Sequence, residues 1–436
     1  MSSSTTTRYI DVLALPHVPL TFTTALIGRS AYALVLLPLL YAVTDATGSI
    51  ALAGVAIALY GATASILAPV RAWLIDHFGA RIVLTALVLL FGGALSALAT
   101  TSLLGGPGRL LLTLAAIAGV VAPPLGPTMR VAWGSLAKDA ALLKKGLSFD
   151  AVIEELLYLM GPAIAGLGLA FIAPGPALFV PAVMVMIGGL LFVATPTVGA
   201  MKPHARVSAL AGQHTKKLKP LILETRFIGL VLPVLVAGAI SGTLSVAVPV
   251  ALAEYGGSAA AGIALGLFAG GSALGGLLYG ALRVPGSPIR QLVVLAAALL
   301  ASSSLVAVAI GAIAVSTVLV LAGVFFSPVM IVAYVAAHTA GGEHRQNSAT
   351  TWVNTSHNLG GAAGSALAGV IIQTTGVPPA ILGIAAATLP LLIVSALLGW
   401  RQGDSNHDAT PRKRTKDSLN HSFRPDPPGT GHGTSQ

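Results

Sequence analysis

The sequence predicts an all-α integral membrane fold: twelve transmembrane helices arranged as two six-helix pseudo-repeats. Three observations carry that expectation. Apolar residues make up 55% of the 436-residue chain and charged residues 9%, with a mean hydropathy of +0.87, which is not the balance of a water-soluble domain. Runs of about 20 apolar residues recur, each long enough at 1.5 Å per residue to cross a hydrocarbon core of roughly 30 Å. The longest polar break, "MKPHARVSALAGQHTKKLKP" at 201–220, divides those runs six and six.

In chain order, a polar segment (1–19) leads into spans at 20–42, 50–70, 82–101, 110–132, 149–172 and 177–198, the first half occupying 20–200. An inter-domain loop (201–225) follows. Spans at 227–250, 259–282, 291–313, 315–337, 349–372 and 379–400 make the second half, 226–400, and a polar tail closes the chain at 401–436. The runs lack the period-two alternation of a barrel strand, so helices must satisfy the backbone in lipid. No basic leader precedes the first run and no small-residue cleavage site follows it, so it is expected to be a span and not a signal peptide. The tail is too poor in apolar residues to offset the entropy of ordering it, and its "PRKRTK" cluster is expected to anchor topology. The repeat has a register. Shifted by 208 residues, "AGVAIALYGATAS" at 53–65 lies over "AGIALGLFAGGSA" at 261–273.

Charge placement sets orientation. Lys and Arg fall on one side of the predicted topology: Arg71, Arg81, Lys138, Lys144 and Lys145, the 202–219 cluster, Arg283, Arg290 and Arg345. Only Arg109 lies opposite, beside Asp45 and Glu254. Both termini are therefore expected in the cytoplasm, with the chain in the cytoplasmic membrane. The net charge of +10 is thus a topology signal, and no nucleic-acid partner is expected. With no cysteine, thiol chemistry and cysteine-based metal or iron–sulfur sites are excluded. No G-x-x-x-x-G-K-[ST], H-E-x-x-H or nucleophile elbow occurs, so neither ATP hydrolysis nor enzymatic chemistry is indicated, and no metal is expected.

The stretch "DAVIEELLYLMGPAIAG" (150–166) places Glu154 and Glu155 at the start of the fifth span. From a helix start near Leu147 they lie about 10 to 12 Å in, where a lone charge is costly and must be paired, protonated or open to water. Arg29 in the first span and Arg130 in the fourth lie at comparable depth. One glutamate is expected to pair with one of these arginines. Three roles follow: proton coupling, a static ion-pair network, or substrate binding. The two glutamates point about 100° apart on a helix, and the sequence does not decide between them. In the second half, Tyr334 and His338 on the tenth span and Asn354, His357 and Asn358 on the eleventh can line a cavity or bond helix to helix.

"RAWLIDHFGARIVL" (71–84), between spans two and three, resembles the Gly-x-Leu-Ala-Asp-Arg-x-Gly-Arg-Arg signature of the major facilitator superfamily. Leu74, Asp76, Gly79 and Arg81 match in register, while Ala72, His77 and Ala80 depart. Asp76, Gly79 and Arg81 are expected to clamp a gating loop; the 208-residue offset puts Val284 opposite Asp76, so no second clamp is expected. Gly161, Pro162 and Gly166 resemble the Gly-Pro-x-x-Gly-Gly element of the twelve-span drug/proton antiporters, with Ala165 in place of one glycine. The resemblance implies a monomeric secondary transporter that uses no cofactor. It would export small amphipathic organic molecules by alternating access, driven by the proton gradient. A polar nutrient such as a sugar or amino acid is the alternative substrate; it normally needs more aromatic and polar lining than 6% aromatics supply.

Overall fold

The computed structural model describes residues 12–137, 139–201, 224–282 and 284–407; within its helices the side chains of 140, 141, 144, 148, 151, 155, 159, 338, 339, 341–348 and 400–407 lie outside the description. The expected inter-domain loop and C-terminal tail therefore fall almost wholly outside it.

The chain is helical throughout its described length. The first half comprises α1 (Val18–Thr47), α2 (Ile50–Ile66), α3 (Ala68–Phe78), α4 (Ala80–Leu103), α5 (Gly108–Val121), α6 (Leu125–Leu136), α7 (Ala140–Leu169), α8 (Pro174–Ala177), α9 (Phe179–Ala194) and α10 (Pro196–Gly199). The second comprises α11 (Thr225–Ala251), α12 (Gly257–Ala281), α13 (Pro288–Ser304), α14 (Gly311–Thr375) and α15 (Val377–His407). Polar side chains start the helices where the sequence supplies them: Ser49 accepts from the Leu52 amide and Asp139 from the Leu142 amide.

Among the described residues ten helices are long and apolar enough to cross a membrane, and the bent pair α2 and α3 makes an eleventh. The expected eleventh span, 349–372, is the one not counted separately; it lies inside the 65-residue α14. Its Asn354, His357 and Asn358 dilute its apolar character. It is nonetheless a separate arm. Tyr334 and Asn354 would stand about 30 Å apart on a straight helix, yet the Tyr334 hydroxyl donates to Asn354 Oδ1 at 2.5 Å, so the chain doubles back between them.

Two further spans are not the simple rods expected. The second bends by 44° at Leu67, just ahead of Pro69, where α2 gives way to α3. The fourth breaks between Val121 and Leu125, because Pro123 and Pro124 bring no N–H to the helical ladder.

The 208-residue repeat has a counterpart in packing. Gly54 and Gly262 superimpose at that offset, and each meets a glycine of the opposite half. A Cβ on Gly54 would stand 3.1 Å from the Gly369 Cα and against the Ser365 carbonyl. A Cβ on Gly262 would stand 2.7 Å from the Gly166 Cα and against the Pro162 carbonyl. With Gly at both members the backbones touch, the small-residue packing that replaces the hydrophobic effect inside lipid. The Ile50 amide also donates to Gln373 Oε1 at 2.8 Å. All three contacts join the halves at the end of the bundle away from the chain termini.

Candidate functional site

Four charged residues of the first half, Arg29, Arg130, Asp150 and Glu154, converge on one place. α7 begins at Ala140, well before Leu147, because Asp139 caps it. Its apolar part starts near Lys145, and Glu154 lies about 14 Å into that part. Asp150 and Glu154, one turn apart, share a face that meets α1 and α6. Arg29 Nη1 donates to Asp150 Oδ1 at 2.6 Å, and its Nη2 lies 3.2 Å from Glu154 Oε2. Arg130 Nη2 donates to the same Glu154 oxygen, with Nε 3.9 Å from Asp150 Oδ2. Two carboxylates and two guanidiniums therefore form one compact, formally neutral group, which is how ionised side chains are held inside a bilayer.

Exposure grades across it. Asp150 and Arg29 are buried, at 0% and 3% accessible, whereas the Glu154 side chain is 21% accessible and that of Arg130 50%. Glu154 and Arg29 face a cavity of about 120 Å³, walled also by Tyr32, Pro123, Gly126 and Tyr158. Phe149, next to Asp150 in the chain, packs its ring 5.1 Å from that of Phe22, which lies 5.9 Å from Trp133.

Of the sequence candidates, the structure brings Glu154, Arg29 and Arg130 together. The Glu155 side chain lies outside the described residues. Asp150 was absent from the sequence candidates. Its signal was present in the i, i+4 spacing to Glu154, which also selects Glu154 over Glu155 as the residue sharing its face.

The other candidates lie elsewhere. Gly161 packs on α1, where a Cβ would stand 2.6 Å from that of Ala33; Gly166 makes the cross-half contact, and Pro162 sits between them inside α7. In the gating loop Gly79 links α3 to α4 at φ 90°, ψ 144°, a conformation reserved for glycine. Asp76 and Arg81 are joined by no ion pair among the described residues, and Arg81 Nη1 instead approaches Gly199 at the end of α10, 3.5 Å from where a Cβ would be. A clamp made by pairing these two side chains with each other is therefore not formed. Tyr334 and Asn354 bond the two arms of α14 to each other. The His357 ring packs edge-on against Phe326 at 5.6 Å, and its carbonyl abuts Gly238 of α11. Asn358 is partly buried on the same arm, and the His338 side chain lies outside the described residues. Among the described residues no cluster of His, Asp or Glu can hold a metal ion.

Repeated apolar helices, halves meeting through matched glycines and a charged cluster beside a small cavity together define a membrane transporter. The chain belongs to the Major Facilitator Superfamily, whose family model matches residues 20–365 and again 230–428. No curated protein sequence matches it. Solved structures share its fold. A mutant form of the nucleoside transporter NupG covers 87% of this chain and 99% of its own, at 14% identity and a TM-score of 0.70. A POT family transporter in complex with 5-aminolevulinic acid covers 89% and 96%, at 12% identity and 0.66. A bacterial homologue of the human lysosomal transporter Spinster, inward-facing and occupied, covers 93% and 100%, at 13% identity and 0.64.

Proposed function

We propose that this chain is a proton-coupled secondary transporter that exports small amphipathic organic molecules by alternating access. It acts as a monomer in the cytoplasmic membrane, with both termini inside. One observation carries the coupling: Glu154, partly open to a cavity, is held between Arg29 and Arg130 and backed by the buried Asp150. Protonating Glu154 leaves two guanidiniums facing one carboxylate. Arg130, half exposed, is then the member free to move, while the buried Arg29–Asp150 pair keeps the site assembled.

α7 links that event to access. It carries Glu154, and about 18 Å further along it carries Gly166, the residue that closes on Gly262 of the other half. Pro162 lies between them and removes one rung of the ladder, so the two ends of α7 can change their relative angle. A shift of α7 against α1 and α6 on protonation thus reaches the cross-half contact directly. Export rests on the likeness of Gly161, Pro162 and Gly166 to the antiporter element, and the substrate class on the largely apolar spans.

A polar nutrient is the second reading. The cavity wall favours it, since Arg29, Glu154, Tyr32 and Tyr158 all offer polar groups, and solved structures of the same fold include a nucleoside transporter and one holding 5-aminolevulinic acid.

The deciding experiment is uptake into everted membrane vesicles, with and without an imposed proton gradient, of a panel of lipophilic cations, antibiotics, sugars and amino acids. Gradient-driven accumulation of amphipathic compounds, lost in Glu154→Gln, is expected. Accumulation of only a sugar or amino acid selects the second reading. Transport by Glu154→Gln that still depends wholly on the gradient removes Glu154 as the coupling site.

A further inference from the structure

Arg71 was counted in the sequence as one more cytoplasmic loop cation. In the structure it is buried, 6% accessible, and makes no ion pair among the described residues. Its partners are backbone carbonyls. Nη1 donates to Gly119 at 2.7 Å and Val120 at 3.0 Å, and Nη2 donates to Ala64.

The choice of carbonyls has a specific cause. In an unbroken helix the carbonyl of residue i accepts from the amide of residue i+4. For Gly119 and Val120 those amides would belong to Pro123 and Pro124, which have none. Arg71 therefore donates to the two carbonyls whose i+4 amides the proline pair removes; that of Gly119 keeps one weak backbone bond, from the Ala122 amide at 3.4 Å. Its charge also faces the C-terminal ends of α2 and α5, the negative ends of two helix dipoles, which accounts for a buried cation with no carboxylate. α2 and α5 approach closely enough for it to reach: a Cβ on Gly119 would collide with Thr63 and the Tyr60 carbonyl, and Thr63 Oγ1 donates to the Ala116 carbonyl at 3.0 Å.

The break so filled aims the site described above. On its far side the Pro123 carbonyl accepts from the Tyr32 hydroxyl at 2.5 Å. α6 then starts with Gly126 against the charged group, where a Cβ would stand 3.4 Å from Glu154 Oε1 and 3.8 Å from Arg29 Nε, and the same short helix carries Arg130. Arg71 also spans the other discontinuity, since it sits in the first turn of α3 and bonds Ala64 in the last turn of α2, across the 44° bend.

We propose that Arg71 is a positioning residue for proton-coupled transport: it takes the place of the missing proline amides, fixes the direction of α6, and so sets where Arg130 meets Glu154. This rests on the reading of Glu154 as the coupling acid. Its structural part stands apart from that reading and is tested separately.

The test is a cycle between Arg71→Met and Pro123→Ala/Pro124→Ala. Restored alanine amides can serve Gly119 and Val120 from within the helix. Arg71→Met alone is expected to lower the denaturation midpoint of the purified protein clearly and to cut transport about tenfold or more, since it removes the charge-assisted bonds to the Gly119, Val120 and Ala64 carbonyls. In the Pro123→Ala/Pro124→Ala background the same substitution is expected to cost little stability, while transport stays low and its pH profile shifted, because α6 is no longer aimed. Arg71→Lys, a single-pronged cation, is expected to keep the protein folded and to shift the pH profile. The chain has no cysteine, so Leu157→Cys on the cavity wall gives a direct readout: its maleimide labelling rate is expected to change with Arg71→Lys. Equal destabilisation by Arg71→Met in both backgrounds overturns the proposal, because Arg71 would then not be serving the proline-freed carbonyls. A wild-type pH profile and labelling rate in Arg71→Lys overturns the positioning role. Failure of the Glu154 reading shows separately, as unaltered gradient dependence in Glu154→Gln with the stability cycle intact.

Discussion

Replacing Asp150 by asparagine tests whether the charged group is held together from its buried side. Asp150 and Arg29 are almost inaccessible and meet at 2.6 Å, and breaking such a pair by removing one partner costs about 3 to 5 kcal/mol. Two features reduce the loss. The amide still offers Arg29 an acceptor, and Glu154 stays 3.2 Å from the other arm of the guanidinium, so the lower end, about 3 kcal/mol, is expected. Arg130 is half exposed, and Arg130→Gln is expected to cost only about 0 to 1 kcal/mol, as exposed ion pairs do. The assay is denaturant-induced unfolding of the purified protein in detergent, followed by tryptophan fluorescence, with the buried Trp133, packed against Phe22 of α1, as reporter. A companion variant separates stability from function. Arg29→Met with Asp150→Leu exchanges the buried pair for apolar bulk, is expected to recover most of the loss, and is expected not to transport. Asp150→Asn within 1 kcal/mol of wild type, or Arg130→Gln as damaging as Asp150→Asn, refutes the reasoning, because the buried pair would not then be what holds the site.

The remaining predictions concern the framework. Gly262→Ala and Gly54→Ala each place a methyl against a backbone carbonyl of the other half, so both are expected to abolish transport by preventing closure at that end, whereas Gly61→Ala, with open space around it, is expected to be neutral or slightly stabilising; transport and thermal stability of the three check this. Gly79→Ala is expected to destabilise by about 1 to 3 kcal/mol, since its backbone conformation is open only to glycine, and the denaturant midpoint measures it. Tyr334→Phe removes the hydrogen bond that ties the two arms of α14, with an expected loss of about 1 kcal/mol in the same assay.

Much of the fold was legible because the membrane makes sequence rules strict. Apolar run length gave the spans, and the 208-residue register found Gly54 over Gly262 before either had a known partner. What the sequence did not yield depends on groups that only three dimensions bring together. Arg71 looked like a loop cation because its partners are carbonyls, and carbonyls carry no sequence signature. Pro123 and Pro124 were visible, but which side chain replaces their amides was not. Asp150 was within reach, since it shares a helix face with Glu154 at i, i+4, yet adjacency drew attention to Glu155 instead. The gating-loop motif works in the same way: it names residues but not their partners, and here Arg81 turns towards α10.

That contrast bears on how this transporter changes state. The end of the bundle away from the termini is closed by backbone-to-backbone contact, which either fits or does not, since no side chain at Gly54, Gly166, Gly262 or Gly369 can adapt. At the other end, among the described residues, Asp76 and Arg81 are not ion-paired with each other. Between them lies Glu154, the acid proposed above to couple transport to protons, on the same helix as Gly166 of the closed contact. Under that proposal, a fitted, all-or-none closure linked through a proline-interrupted helix to a charged group is the arrangement in which a small electrostatic change selects between two packed states.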